Sequence, residues 1–516
     1  MIRIGVDVGG TNTDAVVMDG RSVLAAHKAP TTENVSGGIV EAIRTVRNTA
    51  NIDTESISGV MIGTTHFTNA FVQRKDLLPV GVIRVALPSS RGIPPLTDWP
   101  PDLSGAMGDA HYLVRGGYQY DGRMADPLDE QAVAEAARAM RKRGLKSVAI
   151  SGLFSPVSAD MEIRAEEIVL NEAPDMQVTL SSRIGRMGLL ERENAAVMNA
   201  SLADMARVVV DSFRSALDQL EITAPFFVSQ NDGTLMTADF VEKYPVLTFA
   251  SGPTNSMRGA AYLSRLTDAL VADIGGTTTD FGMLVNGFPR ESSLSVDIGG
   301  VRTNFRMPDI LAMGLGGGSR VRNSEEGVTI GPDSVGYRLL QEALVFGGDT
   351  LTTTDIAVAS GYLDLGDSGR VKSLDSETVN ATVKRIHYMI AEGVDRMKTS
   401  ADAIPLVLVG GGAVLVRDDI PGTSEVIVPE HAGVANAIGA SIAQVSGETD
   451  RVFAYDSTGR DTAMATAREE AIERAKQAGA DPETIEVLDI EEVPLAYMPG
   501  GAVRIRVKVA GELVGL

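Results

Sequence analysis

The chain has 516 residues, with 68 acidic against 46 basic side chains and a formal charge of −22. That length predicts two or more globular units, and the acidity argues against nucleic acid or an anionic membrane surface as a partner. The absence of cysteine excludes disulfides, thiolate nucleophiles, iron–sulfur clusters and cysteine-rich zinc sites.

In chain order, Ile2, Ile4, Val6 and Val8 alternate on one face, a Gly-Gly turn follows, and Ala15 to Met18 reads as a second strand. Asp7 comes too early for a secretory signal, so a cytoplasmic location is expected. Glu33 to Thr49 has helical spacing, with Ile39, Ile43 and Val46 on one stripe, and Gly59 to Ile62 reads as a buried strand. This alternation predicts an α/β core. Between Val80 and Pro225 the pattern shifts to a loop-rich stretch, a helix from Leu128 to Arg143 and a strand from Ser147 to Ile150. Gly185 to Leu220 reads as a helical element bridging two lobes.

Leu406 to Val409 reads as a strand running into Gly410, Gly411 and Gly412, and Gly433 to Ala440 as a small-residue helix. From Arg451 onward a strand, a helix (Asp461 to Ala478) and further strands predict a βαββ appendage. The expected divisions are 1–225, 226–448 and 449–516.

The string VDVGGTNTD, Val6 to Asp14, recurs as ADIGGTTTD, Ala272 to Asp280. Paired glycines let a backbone approach a ligand closely, and the amides of Gly9, Gly10, Thr11 and Asn12 can face phosphate oxygens. Asp7 and Asp273, at the strand ends, are placed to hold a magnesium ion that neutralises a polyphosphate. A single copy could be an ordinary glycine turn; the repeat in register favours nucleotide binding. No Walker A or Rossmann glycine pattern occurs. The five histidines, His27, His66, His111, His387 and His431, lack metal-ligand spacing. Within GTTHFTNAFVQRKD (Gly63 to Asp76), Thr64, Thr65, His66 and Asn69 are candidate substrate contacts, the alternative being a threonine-capped helix start.

With LVLVGGGAVL, the two hairpins resemble the adenosine and phosphate motifs of the actin, heat-shock chaperone and sugar-kinase superfamily. GVDVGGTNTD, GTTHFTNAFVQRKD and ADIGGTTTDFG, with ERENAAVMNASL, ASGPTNSMRGA, LGGGSR, GPDSVG, GGDTLTTTD and VPEHAGVANAIGA, resemble the hydantoinase A and 5-oxoprolinase family. The resemblance implies a two-lobed actin-like α/β fold with duplicated ribonuclease H-like lobes, an inserted α/β region and a small C-terminal α+β unit. It implies an ATP- and Mg2+-dependent amidohydrolase that phosphorylates the carbonyl oxygen of a cyclic amide (a hydantoin, 5-oxoproline or a lactam) before water opens the ring.

By the same resemblance, Asp7, Gly9, Gly10, Thr11, Thr13 and Asp14 form one phosphate site, and Asp273, Gly275, Gly276, Thr277, Thr279 and Asp280 the other. Asp7 and Asp273 are the metal ligands, and Gly410, Gly411 and Gly412 hold adenosine. Asp14, Asp280 and Glu191 are the candidate bases. A homo-oligomer and a second hydantoinase-type subunit are the expected partners. Two other readings are an activating subunit of an ATP-dependent carboxylase and a chaperone-like or reactivating ATPase. The chain departs from the family pattern at Asn12, at Gln230 to Gly233, after Gly336, and at Thr254-Asn255-Ser256, where the family has Ala-Gly-Gly.

Overall fold

The computed structural model describes residues 1–9, 12–30, 35–292, 295–324, 327–442, 444–496 and 498–515. In the first lobe, β1 (Ile2–Val8), β2 (Asn12–Asp19) and β3 (Ser22–Pro30) form an antiparallel meander. Helix α1 (Val35–Ala50) crosses it, and β4 (Ile57–Thr64) then pairs in parallel with the other edge of β1, before α2 (His66–Gln73). Ile4, Val6, Val8, Ala15 and Val17 bury against Ile39, Ile43 and Val46 of α1. Burying a side chain of this size contributes roughly 1.5–3 kcal/mol, so the alternation in β1 fixes which face meets α1.

An inserted unit follows: β5 (Val80–Leu87), β6 (His111–Arg115), α3 (Glu130–Lys142), β7 (Ser147–Gly152), α4 (Asp160–Glu172) and β8 (Gln177–Leu180). Its parallel sheet runs β8-β7-β5-β6. Helix α3 starts where Asp129 accepts from Ala132 N at 3.0 Å and stops before Gly144, whose φ of +74° a larger residue would resist.

The 185–220 segment is two helices, α5 (Leu189–Ser201) and α6 (Ala203–Gln219), separated at Leu202 (φ −95°, ψ 0°). Helix α6 packs on α1 within the first lobe, which corrects the bridging expectation for that half. Helix α5 is buried from Arg192 to Ser201 in the same core cluster, and Asn194 Nδ2 donates at 2.8 Å to Arg302 O, next to Val301 of that cluster, so this half too packs in the first lobe. Arg84 and Glu193, both fully buried, pair through Nε–Oε2 at 2.7 Å, and Ser151 donates to Glu193 at 2.6 Å.

Strands β9 (Phe226–Ser229) and β10 (Leu235–Thr237) extend the first sheet on the β4 edge, in the order β10-β9-β4-β1-β2-β3. The first lobe therefore does not end at residue 225: Phe226 to Val228 pair in parallel with Val60 to Ile62.

The second lobe comprises α7 (Ser251–Ser264), β11 (Ala269–Ile274), β12 (Thr279–Val285), β13 (Ile310–Met313), α8 (Ser376–Met397), β14 (Ile404–Val409), β15 (Thr423–Ile427) and α9 (Ala435–Ala440). Its sheet repeats the first. β14 is parallel to β11 as β4 is to β1, and β15 is parallel to β14 as β9 is to β4. Two lobes with this shared strand order are the actin-like arrangement.

The C-terminal unit, β16 (Gln444–Ala454), α10 (Arg460–Gln477), β17 (Glu486–Pro494) and β18 (Ala502–Glu512), forms the antiparallel sheet β16-β18-β17 and begins at Gln444, ahead of the expected 449. The fully buried stripe Ala463, Ala467, Ala471 and Ala475 lets α10 lie close to the sheet, and a Cβ at Gly447 would fall 2.1 Å from Ala471 O. Lys508, on β18, pairs with Asp232 of the first lobe at 3.1 Å and with Glu291 of the second at 2.9 Å. Among the described residues, no helix is long and apolar enough to cross a membrane.

Candidate active site

The two repeated strings form hairpins of identical register. Asp7 faces Asp14 across the first and Asp273 faces Asp280 across the second, followed by the pairs Val8–Thr13 and Ile274–Thr279. Each turn closes the same way, by Gly9 N donating to Asn12 O at 3.0 Å and Gly275 N to Thr278 O at 2.9 Å. Gly10 and Thr11 lie outside the described residues.

Each leading aspartate lies against a glycine at the end of the neighbouring parallel strand or just beyond it. A Cβ on Gly63 would sit 2.2 Å from Asp7 Oδ1, and one on Gly410 would sit 2.3 Å from Asp273 Oδ1. The lobes thus repeat the glycine seat as well as the carboxylate.

Helices α7 and α9 cross between the lobes. A Cβ on Gly259 would fall 1.9 Å from Ala435 O, and one on Gly439 would fall 1.8 Å from Asn255 O. Gly5 faces Ala437 O at 2.1 Å on the same terms, so α9 presses directly on β1. These helices deliver three polar side chains to the aspartates. Asn255 Nδ2 donates to Asp7 Oδ1 at 3.3 Å and Ser256 Oγ to Asp273 Oδ2 at 2.5 Å. Asn436 Nδ2 donates to Asp7 Oδ2 at 3.0 Å and to Asp14 Oδ2 at 2.7 Å. Lys28, on β3, places Nζ 2.7 Å from Asp14 Oδ1. Sequence reasoning missed Lys28, Asn255, Ser256 and Asn436 as site residues; the departure at 254–256 was the available signal for two of them.

Burial, with Asp14 next and Asp273 further off, pushes Asp7 up to about 6 against the hydrogen bonds from Asn255 and Asn436. Burial also raises Asp273, opposed by Ser256 and Lys28. Burial, then Asp273, pushes Asp280 up to about 7. These carboxylates want positive charge. No three acidic or imidazole groups converge tightly enough, among the described residues, to make an all-protein metal site. Magnesium beside a nucleotide needs only one or two carboxylates together with phosphate oxygens, and Asp7 and Asp273 fit that demand.

A second loop buttresses the turn of the second hairpin. Gly317 N donates to Gly275 O at 2.9 Å, Gly318 N to Gly276 O at 2.7 Å and Thr279 Oγ1 to Leu315 O at 2.7 Å. A Cβ on Gly316 would strike Thr277 N at 2.6 Å. Gly410 (φ +82°) continues β14, and Gly412 N donates to Ile274 O at 2.7 Å, which brings the third glycine cluster to the end of the second hairpin's first strand. A Cβ on Gly411 would meet nothing within 4 Å.

Thr64, Thr65, His66 and Asn69 follow Gly63 directly. Thr65 N donates to Val8 O at 3.4 Å, Ser251 Oγ to Thr64 O at 3.2 Å and Asn69 Nδ2 to Thr65 Oγ1 at 3.3 Å. Thr64 Oγ1 lies 2.5 Å from His66 Nδ1, and burial lowers the His66 pKa, so the imidazole is neutral near pH 7. These residues adjoin Asp7. Glu191 lies in the first turn of α5, 3.6 Å from Arg302 Nε.

The duplicated hairpins, facing aspartates and crossing helices define a protein of the two-lobed actin-like class. The family description "Hydantoinase/oxoprolinase N-terminal region" matches residues 3–173 and "Hydantoinase/oxoprolinase" matches residues 192–404, so the chain belongs to the hydantoinase/oxoprolinase family. It is 26% identical over 397 residues to the acetophenone carboxylase gamma subunit of Aromatoleum aromaticum, covering 70% of this chain and 53% of that one. It is 22% identical over 498 residues to the caprolactamase subunit alpha of Pseudomonas jessenii, covering 86% and 70%. The crystal structure of the ATP-dependent caprolactamase from Pseudomonas jessenii superposes with a TM-score of 0.76 at 18% identity, over 100% of this chain and 88% of that one. Of these two sequence relatives the chain spans only 53% and 70% of the length.

Proposed function

We propose that this chain binds ATP between its lobes and uses it to open a cyclic amide. The observation that carries the reading is the pair of hairpins of equal register, each presenting an aspartate seated on a glycine. In this reading the turns hold the phosphates, the open Gly411 loop takes the adenosine, and Asp7 and Asp273 hold magnesium. The ion supplies charge neutralisation for the phosphates. Lys28, held on Asp14, brings a protein cation beside the first hairpin.

The amide oxygen attacks the γ-phosphorus, forming a new P–O bond as the bond to ADP breaks. Water adds to the activated carbon, the C–N bond breaks with the nitrogen taking a proton, and a second water releases phosphate. Asp280, pushed up to about 7, titrates where a general base is useful, and Asp14 is the other candidate near the phosphates. Thr64, Thr65, His66 and Asn69, beside Asp7, are the proposed substrate contacts, with neutral His66 able to donate or accept. Glu191, on the α5 start, is the least supported of the candidate bases.

The test is release of ADP and phosphate by the purified chain with hydantoins, 5-oxoproline and lactams, and ring opening followed by mass spectrometry. Turnover coupled to a ring-opened product and lost in Asp7→Ala and Asp273→Ala supports the reading. The likeness to a carboxylase subunit favours one alternative: a chain that activates a substrate for a partner. Turnover that needs a ketone, bicarbonate and a second subunit would select that alternative.

A further inference from the structure

Asp7, Asp14 and Asp273 are held by donors that the hairpins themselves do not supply. Asn255 and Ser256 are neighbours on α7, yet they reach opposite lobes, one to Asp7 and the other to Asp273. Asn436, on α9, spreads one amide nitrogen over Asp7 and Asp14, and its Oδ1 accepts from Ala437 N at 2.9 Å. That backbone contact fixes which end of the amide faces the carboxylates. Asn255 and Ser256 are each only 2% exposed, so solvent cannot replace either donor.

A neutral NH2 between two carboxylates on adjacent strands satisfies one oxygen of each without neutralising either. The pair therefore stays aligned, and still demands positive charge. The carriers are rigid, since Gly5, Gly259 and Gly439 leave no room for even a methyl group between the helices and their neighbours. A change in the helix crossing must then move the donors, and with them the carboxylates.

We propose that Asn436, Asn255 and Ser256 are positioning residues that fix Asp7, Asp14 and Asp273 relative to one another and make that arrangement depend on the angle between the lobes. The activity arm of the test rests on the ATP reading above; the conformational arm does not.

The experiment uses the full chain carrying Asn436→Ala, Asn436→Asp or Ser256→Ala, with Ser264→Ala as a control on the same helix, where Ser264 Oγ bonds only within α7 and its end. Because the native chain lacks cysteine, Glu41→Cys and Lys384→Cys, one exposed site per lobe, take spin labels cleanly. Interlobe distances are then measured without metal or nucleotide. Asn436→Ala and Ser256→Ala are expected to lower kcat for ATP about tenfold or more, as sub-ångström misplacement does, with KM within about threefold, and to broaden the distance distribution.

Asn436→Asp, of equal size, adds a third carboxylate and should widen the distribution beyond that of Asn436→Ala. Distributions matching the parent in both Asn436→Asp and Ser256→Ala overturn the proposal, as does an equal loss of kcat in Ser264→Ala. If the parent turns over no ATP, the functional reading fails while the distances still decide this one.

Discussion

Asn255 and Ser256 are consecutive residues of one helix, and their side chains hold the leading aspartates of two different lobes, Asp7 at 3.3 Å and Asp273 at 2.5 Å. The leading aspartates are thus held by the helices that cross between the lobes as well as seated on the glycines of the strands beside them.

Lys28 is the cation bonded to Asp14. With Lys28→Met the acidic cluster loses that charge, and ATP turnover should fall about 100-fold or more, the usual consequence of removing one preorganised charge donor. Lys28→Arg should recover part of it. Steady-state ADP release measures both.

The glycine seats make a contrast between two neighbouring types of position. Gly63→Ala puts a methyl group 2.2 Å from Asp7 Oδ1 and 2.5 Å from Asn255 Nδ2, whereas Gly411→Ala enters open space. Titration calorimetry with Mg-ADP should find affinity lowered about tenfold or more in the first variant, equivalent to roughly 1.4 kcal/mol. The second should keep its fold and stability, and any loss of affinity there reports the nucleotide instead of a protein clash.

Asp280 gives stability a pH dependence of known sign. Its folded pKa of about 7 stands above the ordinary carboxylate value of 3.8, so the native state holds a proton that the unfolded chain releases. The contribution is full below about pH 4 and is lost as pH rises through 7. In metal-free protein, melting temperature should fall between pH 5 and pH 8, and Asp280→Asn should shrink that fall. Solvent reaches this carboxylate in part, so the difference is roughly 1–2 kcal/mol. Asp7, raised in the same direction, leaves a residual slope.

Arg84 and Glu193 form a buried pair between β5 of the inserted unit and α5, 0% and 1% exposed. Arg84→Met strands a buried carboxylate and should cost about 3–5 kcal/mol in chemical denaturation, while the double variant Arg84→Met, Glu193→Leu should regain most of it.

The sequence carried the hairpins plainly, because a nine-residue string repeats in register and its glycines and aspartates have local meaning. The remainder of the site is assembled from single residues whose partners lie far along the chain. Asn436 is separated from Asp7 by 429 positions, and nothing in Ala-Asn-Ala marks it. Lys28 was hidden with its strand: Ser22 to Pro30 mixes small, apolar and basic residues without clean alternation, yet it pairs along β2 from Asn12 to Asp19. The boundary at 225 failed for a related reason, since short strands such as Phe226–Ser229 gain identity only from the parallel edge that accepts them. In Glu191-Arg192-Glu193-Asn194, the residues that anchor the core are the last three, bonded to Arg186, Arg84 and Trp99 in turn, while Glu191 stays near the surface of its helix start.

Lys508 has a bearing on how this protein could be shortened. Its ammonium is shared by one acid from each lobe, and the neighbouring Arg506 also reaches Glu291, at 2.6 Å. A chain cut after Ser441 would therefore not be a smaller edition of the same protein. Asp232 would lose its ammonium partner while Glu291 kept Arg186, at 3.4 Å, and Arg306, at 3.9 Å, so a two-lobe protein able to stand alone would need Asp232 rewritten as a neutral residue.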